Sequence, residues 1–103
     1  MDKNTNTRFT DVFRGTIKDV KSHSINLNGR VQKLVKQIDF AIEQSDEIDP
    51  ETNQPWLVNR MSFVRNVVDA NLKTLSEVDL LALRGHRVEV VVYPNYWMIY
   101  SIT

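Results

Sequence analysis

Residues 8–45, RFTDVFRGTIKDVKSHSINLNGRVQKLVKQIDFAIEQS, decide how the rest of the chain is read. Apolar side chains recur there at alternating steps of three and four: Phe13, Ile17, Val20, then Ser24 as the polar interruption, then Leu27, Val31, Leu34, Ile38 and Ala41. Such steps put one stripe along a helix, widened by Val35 and Ile42, with Gly15, Ser22, Gly29, Lys36 and Glu43 on the far side, where no side chain is required. The spacing predicts helix over 8–45. Within it, the run from Ser22 to Gly29 is poor in helix formers and holds two asparagines and a glycine able to turn the chain. A break at 22–29, folding two helices on one another, is therefore preferred to an unbroken rod, which at ~1.5 Å per residue would be about 57 Å long and would have to associate with another copy.

Working outward, residues 46–55 lose the periodicity and carry Pro50 and Pro55, which predicts a loop. Its acids Asp46, Asp49 and Glu51 lack the turn glycine and twelfth-position glutamate of a calcium loop. Pro55 suits the start of a second helix over 56–75, with Leu57, Met61, Val64, Val68, Asn71 and Leu75 on its seam and Phe63, Val67 and Ala70 widening it. Trp56 would plug one end of the bundle, and Asn71 could fix a register if buried. Ser76 and Asp79 have the spacing of a capping box, which predicts a short helix over 77–84 with Gly85 as its C-cap. The period then changes to two, and residues 87–102 read as a β-hairpin turning around Tyr93-Pro94-Asn95-Tyr96. The polar residues 1–7 read as a flexible tail. The expected fold is α+β, a helical hairpin or small helical bundle followed by a C-terminal antiparallel β-hairpin, in one domain over 8–103.

Composition excludes some classes of function. The chain has 103 residues, no cysteine, and 13 basic against 13 acidic side chains. Disulfides and thiolate zinc sites are therefore ruled out. No apolar run approaches the ~18 residues of a membrane span, and a soluble cytoplasmic protein is the default expectation. The charges are segregated. Eight basic residues against three acidic ones precede Gln37, and residues 37–55 hold six acids and no base.

His23 and His86 have no spacing for a shared metal, and no nucleophile or phosphate-loop motif occurs, so no enzyme, metal or cofactor is expected. Two groups of residues suit binding. Arg14, Lys18 and Lys21, then Arg30, Lys33 and Lys36, form a basic helical stripe that could neutralise phosphates, and Arg84 and Arg87 could grip an anion through their guanidinium forks. Tyr93, Tyr96, Trp97 and Tyr100 offer large rings with polar tips to a partner. Because the apolar surface exceeds what so short a chain can bury, the leading expectation is a non-catalytic, self-associating interaction module: an adaptor, inhibitor or accessory protein. A homo-oligomer, with a dimer favoured, or a protein partner would cover the excess. The alternative is a small nucleic-acid-binding accessory protein using the basic stripe.

Overall fold

The structure is a computed structural model that describes residues 8–102, except the side chains of residues 25, 27, 31–33, 45 and 46. It corrects the expected α+β helical bundle: the described chain is nearly all strand. The elements are β1 (Asp11–Leu27), β2 (Arg30–Asp49), β3 (Gln54–Val64), β4 (Val67–Val68), α1 (Glu77–Leu81), β5 (Arg87–Val92) and β6 (Trp97–Ser101). The expected tail, residues 1–7, lies outside the described residues.

The helical reading of 8–45 fails for a definite reason. A step of four is also two strand periods, so Phe13 and Ile17 share one face of β1. The step of three from Ile17 to Val20 is a β-bulge. Register with β2 shifts between Ile17 and Asp19, so that Lys18 is the extra residue and both Ile17 and Val20 point inward, at 0% and 3% exposure. On β2 the inward residues Ile38, Phe40 and Ile42 alternate, and Phe40, fully buried, has no place on the helical seam. The expected break at 22–29 is a hairpin turn instead. Asn28 and Gly29 both have positive φ, 54° and 78°, the conformation of a two-residue primed turn, and Leu27 pairs with Arg30 across it.

The expected loop 46–55 is shorter, since β2 runs to Asp49 and β3 begins at Gln54. The carboxylate of Asp49 accepts from the Glu51 N–H at 2.9 Å and shapes the turn between them. The expected helix 56–75 is β3, β4 and a turn around Asp69, whose side chain accepts from the N–H groups of Asn71 and Lys73. Asn71 is exposed there and fixes no helical register, and Trp56, 45% exposed on β3, plugs no bundle. In the expected helix 77–84, only Glu77–Leu81 is helical. Ser76 and Asp79 cap it reciprocally, and Gly85, at φ 86°, lies beyond its end and donates its N–H to the Ile17 carbonyl.

The strands lie in the order β3-β2-β1-β5-β6-β4. Neighbours pair antiparallel except β4 and β6, which are parallel. The outermost members, β3 and β4, are separated by Arg65 and Asn66 alone, so one bent strand closes the sheet on itself. The Trp97 N–H donates to the Asn66 carbonyl at this closure. A five-stranded Greek-key barrel results, with the connectivity of the OB type. Its interior holds Ile17, Ile38, Phe40, Val88, Val90 and Ile99, all fully buried, and Leu80 of α1 packs against them. Gly15 lies inside this barrel, not on a solvent-facing side. A Cβ there would run into the Ala41 carbonyl oxygen, so β1 and β2 can approach only around a glycine.

Candidate functional site

Strand pairing sorts the outward-facing side chains into two flanks on either side of β1. On the flank of β5 and β6 the charged side chains are paired, among themselves and across β1 to Glu43 of β2. Arg87 grips Glu43 through both its Nε (2.6 Å) and Nη2 (2.9 Å), Arg14 approaches Glu89 at 3.5 Å, and the Tyr100 hydroxyl donates to Glu89 at 2.7 Å. The hydrogen bonds from Arg87, with the nearby charges of Arg87 and Arg14, hold the Glu43 carboxyl below its ordinary value against the opposing effect of burial. The hydrogen bond to Glu89 raises the Tyr100 hydroxyl above its ordinary value, helped by burial.

The flank of β2 and β3 is different. Outward-facing Leu57, Met61 and Phe63 are 58%, 57% and 62% exposed. Beyond Phe63 the chain bends at Arg65-Asn66 toward the β5–β6 turn, and a cleft of about 280 Å³ opens between them. Its walls are Phe63, Arg65 and Asn66 on one side and the Tyr93–Trp97 turn on the other. Tyr93 and Tyr96 stack at 4.8 Å and 21°, and the Tyr93 N–H donates to the Tyr96 carbonyl. The His23 ring stands 6.3 Å from that of Phe63, extending the aromatic row toward the β1–β2 hairpin. Arg65 is the one charged residue among those lining the cleft, and no carboxylate lines it. Flat faces beside a cation, without an opposing acid, can hold stacked planar groups linked by anions.

No protein-family model, curated protein or solved structure matches this chain.

The residues singled out from sequence are dispersed by the barrel. Tyr93, Tyr96 and Trp97 line the cleft, although the Trp97 ring turns inward against Phe13 (5.8 Å) and Phe40 (6.4 Å). Tyr100 lies on the other flank. The basic stripe is not helical, since its residues belong to β1 and β2. Arg14, Arg84 and Arg87 face acids, with Arg84 3.9 Å from Asp19. Lys18, at the bulge, donates to the Asn59 side chain at 3.2 Å. Lys21 is exposed on β1, Arg30 is exposed beside the hairpin turn, and Lys36 faces inward at 6% exposure, opposite Val64. The side chain of Lys33 lies outside the described ones.

Sequence reasoning missed Phe63, Arg65, Asn66 and His23 as site residues. A signal for Phe63 was available: Leu57, Met61 and Phe63 stand at even spacing, the pattern of one strand face. Among the described residues no cluster of three or more His, Asp or Glu could hold a metal, and no helix is long and apolar enough to cross a membrane.

Proposed function

We propose that this protein binds single-stranded nucleic acid in the cleft between Phe63 and the Tyr93–Tyr96 turn, acting as an accessory protein without a catalytic step of its own. The observation that carries the reading is an exposed Phe63 ring and a stacked tyrosine pair lining one cleft, with Arg65 as the one charged residue of that lining. Stacking tolerates any base because every base has a π-face, and a guanidinium can meet the phosphate between two bases. Fold-level analogy points the same way. OB-type barrels use the face of their second and third strands with the loops 1–2 and 4–5; here Phe63 stands on the third strand and Tyr93–Tyr96 on the last loop, with His23 on β1 beside Phe63. A cytoplasmic setting goes with this role.

The proposal relocates the basic contribution. Arg65, with Lys21 and Arg30 toward the β1–β2 hairpin, takes the part first given to a helical stripe. Fluorescence anisotropy with a labelled oligothymidylate and a duplex of equal length tests it. Single-strand binding that weakens several-fold between about 50 and 200 mM salt is expected, with weak duplex binding, since few phosphates are engaged. Equal affinity for the duplex, or no single-strand binding at the lower salt, would overturn the reading.

A second reading, self-association as an interaction module with a dimer favoured, draws on a separate observation: the long β3 edge carries exposed apolar residues on both faces.

A further inference from the structure

β3 is the edge of the sheet along Gln54–Val64, with β2 on one side and no strand on the other among the described residues. Edge strands in proteins that remain single are usually short, charged or interrupted by proline. β3 has eleven residues, one charge (Arg60) and a proline only at its second position, where the ladder begins. Trp56 and Val58 on its inner face and Leu57, Met61 and Phe63 on its outer face are between 45% and 62% exposed.

The order of residues is self-complementary. Laid antiparallel on itself about Asn59, the strand places Leu57 opposite Met61 twice, Asn59 opposite Asn59, Phe63 opposite Pro55, and Arg60 opposite Val58. Within the strand no like charges meet, and Lys18 of β1, which donates to Asn59, brings a cation near the axis from outside the strand. The Arg60 guanidinium is already turned over the Phe13 ring of its own chain at 5.0 Å, away from the shared edge. At about 150–250 Å² for a whole aromatic side chain, the exposed parts of Trp56 and Phe63 supply roughly 200 Å² per copy. With Leu57, Val58, Met61 and the edge backbone added, two copies reach the ~1,000 Å² at which a specific interface begins.

We infer that β3 pairs antiparallel with β3 of a second copy about a two-fold axis at Asn59, joining two barrels into one continuous sheet. This rests on the self-association reading above and gives it a surface, a register and a partner; it shares Phe63 with the nucleic-acid cleft, whereas Leu57 and Met61, the residues varied below, do not line that cleft. An isologous pair of this kind is closed, so the assembly stops at two.

The register makes a test that a merely sticky edge would fail. Sedimentation of the full chain at about 100 µM, far above a ~1 µM dissociation constant, should give twice the 12.0 kDa chain mass. Leu57→Glu alone and Met61→Lys alone should each weaken the dimer at least tenfold, with the circular dichroism spectrum unchanged because both side chains are exposed. The double variant L57E/M61K should restore it, since each new glutamate then faces a lysine of the other copy. The chain has no cysteine, so Asn59→Cys offers one thiol that oxidation should couple to its counterpart, opposed residues on antiparallel strands being ~4.5–5.5 Å apart at Cα. A wild-type monomer would overturn the self-association reading altogether. A dimer indifferent to L57E would leave that reading standing and overturn the β3 interface. A dimer broken by L57E, yet neither restored by the double variant nor cross-linked in the Asn59→Cys variant, would overturn the register.

Discussion

The two flanks of β1 differ in how their outward surfaces are completed. Toward β5 and β6, Arg87 reaches across β1 to Glu43 of β2, Arg14 meets Glu89, and the Tyr100 hydroxyl is bonded to the same Glu89. Toward β2 and β3, Leu57, Met61 and Phe63 are left more than half exposed, and Phe63 lines a cleft whose one charged residue is Arg65. Both flanks share an apolar interior, so core stability alone does not explain the contrast. Contiguous exposed apolar surface contributes nothing to the stability of a lone fold, and it is the ground for proposing a binding surface here. The first flank is completed by pairing within the chain; the second leaves its apolar side chains exposed.

The comparison breaks most severely if the barrel does not close as described, and the largest effects belong to residues that serve both flanks. Phe40→Ala should destabilise by about 3–5 kcal/mol in urea unfolding, because it empties the centre of the interior. Gly15→Ala should cost about 1–3 kcal/mol despite adding only a methyl group, since that methyl would meet the Ala41 carbonyl. A neutral Gly15→Ala would mean that β1 and β2 are not so close and that the flanks are wrongly drawn.

The next effect sharpens the contrast. Phe63→Ala should leave stability within about 0.5 kcal/mol while weakening single-strand binding by about 1–3 kcal/mol, or roughly 5- to 150-fold. Arg87→Ala should do the reverse, lowering the urea midpoint slightly through the orphaned Glu43, with binding unchanged. If both variants changed binding alike in anisotropy titrations, the two flanks would not be functionally distinct.

The smallest effect concerns pH. The Glu43 carboxyl is held below its ordinary value of 4.5 in the folded chain. Its contribution is therefore complete above that value and is lost as pH falls through the lower folded one. Thermal unfolding between pH 3 and pH 6, at roughly one-unit steps across the ordinary carboxylate range, should show an acid decline that Glu43→Gln flattens. A decline unaltered by that substitution would remove Glu43 from the account of the finished flank.

How much of this was legible in the sequence depends on where periods of two and 3.6 can be told apart. From residue 87 onward Val88, Val90 and Val92 alternate without interruption, and strand is the reading the structure also gives for that stretch. Before Asp49 the bulge at Lys18 inserts one residue, turning an alternating pattern into a three-four pattern that imitates a helix. Two signals pointed to strands: Ile38, Phe40 and Ile42 at even spacing, and Asn28-Gly29 between two apolar runs, a strong hairpin signature. Gly15 looks dispensable on a helix but is forced by the close backbone of a barrel. Of the site, Tyr93 and Tyr96 were legible because ring-rich turns stand out in composition. Phe63, Arg65 and Asn66 were not, because only barrel closure brings the end of β3 to the β5–β6 turn, a contact between residues about thirty positions apart that no local period encodes.

The most direct test of the central claim, that one flank is a recognition surface and the other a finished one, is amide chemical-shift mapping with a short oligothymidylate. Shifts are expected to concentrate at Phe63, Arg65, Asn66 and Tyr93 to Trp97, with Glu43, Arg87 and Glu89 silent. Shifts confined to the Glu43–Arg87 flank, or none at saturating oligonucleotide, would contradict it.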